Sequence, residues 1–294
     1  YGREMPAGNY ALRTLASRIR VEPMPPIGNS ARPMNEKNSA STWATDFAFD
    51  REGNYYQVAS FDEAGKAVRQ YLKDGTPGWW FNWNGSFRIA ADDDHVFVLT
   101  ADIGGKERGQ RIFRLNRKTG LVEKFPDLEK GMITVNPPAP LPDMEEERRN
   151  FTAEQERWIV GSWGLAVDGD SLWVTNYREN SVDRYDKVTG TKTGSFPVKA
   201  PLGIDVLSDG TLWVANSGDR ISRFTPEGKL LKEITGLSLP WGVATGGPGD
   251  SVLVTENDTG RVILFDGKTG REIWRRGRAA AAGPVEDDTF RWPN

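Results

Sequence analysis

The chain has 294 residues, enough for one large all-β domain or two smaller domains. Its formal net charge is −3, so no basic surface dominates, and the composition argues against nucleic-acid binding. The lack of cysteine and the single histidine, His95, exclude disulfides, thiolate catalysis and sites that need two imidazoles. The sequence has no apolar run of about 18 residues and predicts no transmembrane helix.

The N-terminal residues 1–33 differ in pattern from the rest of the chain. MPAGNYALRTL alternates apolar and polar positions after a Pro-Ala-Gly turn, which predicts the end of a β-hairpin. This segment is either an N-terminal arm on the following domain or the end of a preceding immunoglobulin-like module. The four prolines of Pro23–Pro33 then predict an irregular linker. We expect residues 34–294 to form one repeat domain, and the chain to be processed or part of a larger protein.

Two strand-rich units follow in chain order. ATDFAFDREGNYYQVASF, KAVRQYL and GWWFNW predict the first, and FRIAADDDHVFVLTA with GQRIFRLNRKTGLVEKF predicts the second. In the second unit, Asp92-Asp93-Asp94 is better explained as a turn than as a metal site. His95 is better explained as a turn or strand residue than as a catalytic base. The prolines and charges of residues 126–159 then predict an insertion with one short helix, which is a surface decoration, a lid or a partner contact.

A repeat of about 40 residues occupies the C-terminal half of the chain. GLAVDGDSLWVTN, GIDVLSDGTLWVAN and GVATGGPGDSVLVTEN begin at Gly164, Gly203 and Gly242, which are 39 residues apart each time. Four strand-like pieces per period of this length are typical of a β-propeller blade. The sequence therefore predicts an all-β propeller of four-stranded antiparallel blades, five of them visible. We expect six blades in the complete ring; closure with five, or a composite blade that uses the N-terminal strands, are the alternatives.

The turns and the large side chains of the repeats have predictable roles. Arg-Lys-Thr-Gly at 117–120 recurs as Lys187-Val188-Thr189-Gly190 and Lys268-Thr269-Gly270, each with a glycine where the turn needs φ > 0. Five aromatic residues recur on the second and third strands, and we expect them to pack between neighbouring blades. They are Trp173, Trp213, Tyr185, Phe224 and Phe265.

Two loops of each blade are expected to meet on one rim of the central channel, because in antiparallel order the first strand starts where the second ends. Amide, carboxylate and indole groups on this rim suit a polar ligand such as a sugar. The candidate ligand-binding residues are Trp163, Asn176, Asn216, Trp241, Glu256 and Asn257. Asparagine after a strand also suits a turn, whereas the turn does not need the carboxylate of Glu256. Glu256 with Asp46 and Asp102 is the candidate set for a divalent ion, Ca²⁺ or Mg²⁺.

The repeats resemble known propeller families. GLAVDGDSLWVTN and its two copies resemble NHL-type repeats, and PLGIDVLSDGTLWVANSGDRISRFTPEG resembles the repeat of the streptogramin-lyase family. The streptogramin-lyase resemblance implies Mg²⁺ and a catalytic histidine at the rim, but residues 161–277 contain no histidine. Gluconolactonase-like propellers hold a divalent metal through Glu, Asn and Asp at the channel mouth, where this chain has Trp163, Leu202 and Trp241. PAGNYALR also looks like the end of immunoglobulin-like modules that precede propellers in large secreted bacterial proteins.

Together these patterns favour a non-catalytic, NHL-like propeller within a larger secreted or periplasmic protein. It would bind a carbohydrate-like ligand or a protein partner on the rim, without a cofactor, a nucleic-acid partner or a membrane span. One alternative is an enzyme, a divalent-metal-dependent lyase or lactonase-type hydrolase at the channel mouth. Another is an assembly subunit that docks through residues 126–159. A divalent ion bound at Glu256 would favour the enzyme.

Overall fold

The computed structural model describes residues 44–59, 68–81, 85–102, 109–136, 162–246, 250–279 and 289–290. Every regular element in these ranges is a β-strand. The described part of the chain thus contains no helix long and apolar enough to span a membrane. The predicted N-terminal hairpin and linker of residues 1–33 lie outside these ranges.

The strands follow one another blade by blade. Blade 1 consists of β1 (Ala44–Phe49), β2 (Tyr55–Ala59), β3 (Val68–Tyr71) and β4 (Pro77–Phe81). Blade 2 consists of β5 (Ser86–Ala91), β6 (His95–Asp102), β7 (Gly109–Asn116), β8 (Val122–Glu123) and β9 (Ile133–Asn136). Blade 3 consists of β10 (Ser162–Asp168), β11 (Ser171–Asn176), β12 (Ser181–Asp186) and β13 (Lys192–Pro197). Blade 4 consists of β14 (Pro201–Val206), β15 (Leu212–Asn216), β16 (Arg220–Phe224) and β17 (Leu230–Thr235). Blade 5 consists of β18 (Pro240–Thr245), β19 (Val252–Glu256), β20 (Arg261–Phe265) and β21 (Glu272–Arg276). A parallel pair, β22 (Arg278–Ala279) and β23 (Thr289–Phe290), follows.

The fold is the predicted all-β propeller of four-stranded antiparallel blades. In blades 1, 3, 4 and 5 the four strands are hydrogen-bonded in chain order. In blade 2 two short strands share the fourth position, since β8 pairs with Arg114 and Leu115 whereas β9 pairs with Gln110 to Ile112. Blade 2 therefore continues to Asn136, which lies inside the predicted insertion of 126–159. The rest of that insertion, residues 137–159 with the predicted helix, lies outside the described ranges. The sixth blade stays a prediction.

The chain forms two compact units, residues 1–100 with 113–123 and residues 101–112 with 124–294. Blade 1 and most of blade 2 belong to the first unit. Blades 3 to 5 belong to the second, which contains all three clear repeats and all six candidate ligand-binding residues.

Blade 4 buries both of its faces, which is why its second strand is apolar from Leu212 to Ala215. Leu212 and Val214 pack with Trp173 and Phe196 of blade 3, and Trp213 packs on the opposite side with side chains of blade 5. Trp213 is fully buried, as an aromatic of this size must be to stabilise a core. The prediction that the repeated aromatic residues pack between blades is confirmed for Trp173, Trp213, Phe224 and Phe265, and Tyr185 is buried. Their exposed fractions are 3% for Trp173, 0% for Trp213, 5% for Tyr185, 8% for Phe224 and 5% for Phe265.

The glycine that opens each repeat allows neighbouring inner strands to approach closely. A Cβ atom at Gly203 would lie 2.6 Å from the carbonyl oxygen of Trp241 and 2.9 Å from the Cα of Gly242. A Cβ atom at Gly164 would lie 2.5 Å from the carbonyl oxygen of Leu202. Because these neighbours are backbone atoms of the next blade, only glycine fits without moving a strand.

The Thr-Gly turns adopt the predicted backbone and also join neighbouring blades. Asp186 Oδ1 accepts hydrogen bonds from the Val188 and Thr189 amides, and the φ angle of Gly190 is 79°. A Cβ atom at Gly190 would lie 2.9 Å from the Phe125 ring, so the turn of blade 3 packs on the segment between β8 and β9. This buried phenylalanine anchors a segment that from residue 126 onwards belongs to the predicted insertion.

Candidate binding rim

The start of the first strand and the end of the second strand meet in blades 3, 4 and 5, as the antiparallel order predicts. Ser162 pairs with Asn176, Pro201 with Asn216, and Pro240 with Glu256. In each blade the register shifts immediately after this pair, which is the mark of a β-bulge. We call the residues around these pairs the rim. It consists of residues 162–163 and 176–180 in blade 3, 199–202 and 216–219 in blade 4, and 238–241 and 256–259 in blade 5.

Three partly buried aromatic side chains form the centre of the rim. The rings of Trp163 and Trp241 meet edge to face, with centroids 5.0 Å apart and planes at 70°. Both indoles and Tyr177 pack against the core that contains Leu202. Blades 3 and 5 thus contact each other across the start of blade 4. Tyr177 was not among the sequence candidates, although it occupies the same place after the second strand as Ser217 and Asn257.

The two asparagines that end the second strands of blades 3 and 4 are buried and hydrogen-bonded within the chain. Asn176 is 2% exposed, and its Oδ1 accepts a hydrogen bond from the Glu179 amide at 3.1 Å. Asn216 Nδ2 donates to the carbonyl of Lys199 at 3.0 Å, and its Oδ1 accepts from Ser222 Oγ at 3.0 Å. These contacts stabilise the loops on either side of the pair. A ligand-binding role for Asn176 and Asn216 stays a prediction.

The structure also explains why a carboxylate replaces the amide at Glu256. Glu256 is 3% exposed, and its Oε1 accepts a hydrogen bond from the Ser238 amide at 2.9 Å, while Oε2 accepts from Thr259 Oγ1. Ser238 is the equivalent of Lys199, 39 residues further along the chain. In blade 4 the loop presents a carbonyl and the side chain is a donor; in blade 5 it presents an amide and the side chain is an acceptor. The exchange therefore preserves one loop contact with its polarity reversed.

Asn257 is the rim residue with unused hydrogen-bonding capacity. Its backbone amide donates to the Leu239 carbonyl at 3.1 Å, as the Ser217 amide does to Ala200 at 2.8 Å. Both acceptor residues have positive φ, 48° for Leu239 and 46° for Ala200, so the loop geometry is shared. Within the described part of the chain, the Oδ1 atom of Asn257 is buried without a hydrogen-bond partner. A buried acceptor without a hydrogen-bond partner typically lowers the free energy of unfolding by about 1–3 kcal/mol.

Two arginines at or beside the rim have acidic neighbours. Arg178 Nε lies 3.8 Å from Glu179, and Arg220 Nε lies 3.0 Å from Asp219. Asp258 accepts a hydrogen bond from Ser238 Oγ at 3.4 Å. These ion pairs offset the charge of the two arginines, so the rim has no strong positive field that would attract an anion.

Asp46, a candidate metal ligand, joins blades 1 and 2 in the first unit. Its Oδ2 accepts a hydrogen bond from the Ile89 amide at 3.0 Å, and Arg88 Nη1 donates in return to the Thr45 carbonyl at 3.1 Å. Asp46 and Arg88 come immediately after the register shift in the first strands of blades 1 and 2. Gly164 and Gly242 occupy the equivalent position in blades 3 and 5. Burial raises the pKa of Asp46, although the positive charge of Arg88 opposes the shift. The same charge disfavours a cation at Asp46.

The described residues contain no assembled site for the predicted divalent ion. No group of three or more His, Cys, Asp or Glu side chains that could hold an ion occurs in those ranges. Asp46 and Glu256 belong to different units, and the side chain of Asp102 lies outside the description. Metal binding by these residues stays a prediction.

His95 occupies a structural position, as predicted. It is the first residue of β6, and its Nε2 lies 2.9 Å from Glu123 Oε2. Asn116 Nδ2 donates to the other carboxylate oxygen at 2.8 Å, so the three side chains form a row across blade 2. These hydrogen bonds, that from Asn116 above all, lower the pKa of Glu123. Asp92 Oδ1 accepts hydrogen bonds from the Asp94 and His95 amides, which is the predicted turn.

Comparison with known proteins identifies the fold. No protein-family model matches the chain, and no curated protein matches it by sequence. Virginiamycin B lyase from Staphylococcus aureus matches with a TM-score of 0.51 and 16% identity, over 77% of this chain and 68% of that chain. A chain of a nidogen/laminin complex matches with a TM-score of 0.56 and 14% identity, over 79% of both chains.

A protein of unknown function from Bacteroides caccae matches with a TM-score of 0.55 and 12% identity, over 80% of this chain and 82% of that chain. The chain has a streptogramin-lyase-like β-propeller fold. At these identities the likeness concerns the fold alone, because one propeller fold serves many unrelated functions.

Proposed function

We propose that this propeller is a binding protein whose rim on blades 3 to 5 takes a neutral, carbohydrate-like ligand. The observation that carries the proposal is the aromatic group of Trp163, Trp241 and Tyr177 at the centre of a polar rim. A sugar ring has an apolar face that packs on an indole, and hydroxyl groups that hydrogen-bond at its edge. The pairing of the two arginines with acidic neighbours supports a neutral ligand over an anion.

The structural roles of the buried rim residues agree with this proposal. Glu256 holds the loop that leads into Trp241, and Asn216 holds the equivalent loop of blade 4, so satisfied hydrogen bonds support both loops of the rim. Two relatives in fold are consistent with binding at a propeller surface, since one comes from a protein–protein complex. The other is a catalytically inactive virginiamycin B lyase solved with quinupristin.

The test is a glycan array with the labelled full chain, followed by calorimetry with the best soluble glycan. We expect Trp241→Ala to weaken binding at least about tenfold, or about 1.4 kcal/mol. Trp80→Ala is the matched control, because Trp80 is 54% exposed and lies in blade 1. Thermal melting of each variant checks that it is folded.

Three outcomes contradict the proposal. The first is an array without any bound glycan, the second is equal binding by wild type and Trp241→Ala, and the third is an equal loss in the Trp80→Ala control. A neutral glycan bound by wild type and lost only in the rim variant supports it.

A further inference from the structure

Exposed aliphatic side chains recur at one place on the outermost strands of blades 4 and 5. In β17, Leu230 pairs with Phe224 and Lys232 with Arg223, so Leu231 is the extra residue of a bulge. Ile273 is the equivalent extra residue of β21. Leu230, Leu231 and Ile273 are 48%, 47% and 48% exposed. A bulge redirects side chains away from the ladder, and an outer strand normally carries polar residues there.

These side chains belong to one continuous surface of the second unit. Lys232 Nζ donates a hydrogen bond to the Lys268 carbonyl, so the turn of blade 5 lies on the outer strand of blade 4. A Cβ atom at Gly270 would lie 3.6 Å from Ile234 Cγ1, which is ordinary contact distance. We call residues 229–232 and 268–276 the outer-edge surface.

Positive charge predominates within residues 229–232 and 268–276, although the whole chain has a net charge of −3 and Lys268 Nζ lies 3.9 Å from Asp250 outside these ranges. Lysines and arginines of the outer-edge surface outnumber its carboxylates. Its one carboxylate, Glu272, is bound by Arg275 at 2.9 Å. The cations are Lys229, Lys232, Lys268, Arg271, Arg275 and Arg276.

We propose that the outer-edge surface binds membranes that contain anionic phospholipids. A few exposed aliphatic side chains flanked by lysine and arginine are the combination that interfacial binding uses, with apolar insertion and attraction to anionic head groups. Three partly exposed aliphatic residues supply much less area than the roughly 800 Å² per partner of a stable protein interface. A lipid surface suits them better, because it needs no matching shape. The proposal is independent of the rim and its ligand.

The test is co-sedimentation of the full chain with vesicles of phosphatidylcholine containing about 30% phosphatidylserine. We expect binding to fall at least about tenfold with pure phosphatidylcholine and in about 0.5 M salt, which screens the head groups. The double variant Leu231→Glu with Ile273→Glu should lose binding by a similar factor. Lys229→Glu with Arg271→Glu should lose it as well.

Two controls keep these results specific. Thr193→Glu changes the equivalent bulge residue of blade 3, and Leu121→Glu changes a 69% exposed leucine of blade 2. Both should bind vesicles as wild type does. If Leu231→Glu with Ile273→Glu lowers the melting temperature, the milder Leu231→Ser with Ile273→Ser replaces it.

The proposal is overturned if wild type does not bind anionic vesicles, or if it binds pure phosphatidylcholine equally well. It is also overturned if the controls lose as much binding as the outer-edge variants. Binding to polyglutamate without binding to vesicles would assign the surface to an acidic protein partner instead.

Discussion

Replacing Gly203 with alanine tests how the blades pack against each other. The new Cβ atom would lie 2.6 Å from the Trp241 carbonyl oxygen and 2.9 Å from the Gly242 Cα. Comfortable contacts between carbon atoms are about 3.5–4.0 Å, so the inner strands β14 and β18 would have to separate by several tenths of an ångström. Neither neighbour can rotate away, because both are backbone atoms. We therefore expect the free energy of unfolding to fall by about 2–3 kcal/mol, the upper part of the range for overpacking.

Urea unfolding followed by tryptophan fluorescence measures this loss. The free energy of unfolding falls by about 2–3 kcal/mol for each 1 M of urea, so the urea concentration at which half of Gly203→Ala is unfolded should lie about 1 M below that of wild type. Gly194→Ala is the matched control, since its Cβ would meet only Arg184 Cβ, at 3.9 Å. We expect the control to change stability by less than about 1 kcal/mol, with a small gain favoured. Equal midpoints for the two variants would refute close backbone approach as the reason for the repeated glycine.

Two further predictions concern charges in the first unit. Asp46→Asn should stabilise the protein at neutral pH, because burial raises the pKa of Asp46 and the folded state favours the neutral form. This gain should disappear in urea unfolding at about pH 3, below the ordinary aspartate pKa, where the wild-type carboxyl is neutral in both states. Arg117→Met should cost about 3–5 kcal/mol, because Arg117 Nη1 contacts the buried Asp50 carboxylate at 2.7 Å. Arg51→Met is the control, since that side chain is 88% exposed beside Asp93 and should change stability by less than about 1 kcal/mol.

The pH dependence of Asp50 has the opposite sign to that of Asp46. Burial tends to raise the pKa of Asp50, but hydrogen bonds from Asn54, Arg117 and Tyr56 outweigh it and lower the pKa. The stabilisation is therefore present above the ordinary aspartate range and is lost as the pH falls through the lowered pKa. If wild type and Arg117→Met lose the same free energy of unfolding as the pH falls, the stabilising role given to Asp50 is wrong. A gain of Asp46→Asn that persists at pH about 3 would contradict the role given to Asp46.

The blades were predictable because their strands pair with neighbours in the sequence. The turn at Asp186–Gly190 depends on residues within five positions of one another, and the structure has the expected hydrogen bonds and the expected φ at Gly190. The rim was predictable for the same reason, since an antiparallel hairpin brings Pro240 beside Glu256 whatever the other blades do. The five repeated aromatic residues were assigned to the core because they recur on the second and third strands of the repeats, and they are buried.

The roles of individual rim residues could not be predicted in this way. Glu256 stood out in the sequence as a candidate ligand, but the structure gives it the Ser238 amide as a partner. Asn216 has the Lys199 carbonyl instead. The amide and the carbonyl of one residue belong to consecutive peptide planes, and residue types do not specify which of the two the loop turns towards the side chain. Tyr177 was missed because its packing against the core that contains Leu202 of blade 4 depends on how neighbouring blades approach each other.

The sequence by itself determined the class of fold, the blade boundaries of the three repeats, their turns and their buried faces. All of these follow from local pairing and from a period of two along each strand. Only the tertiary structure decided why Gly203 is glycine, why Asp46 and Arg88 stand at the equivalent position in blades 1 and 2, and how Trp163 meets Trp241. These contacts join residues about 40 or more positions apart, and their distances depend on how closely whole blades approach.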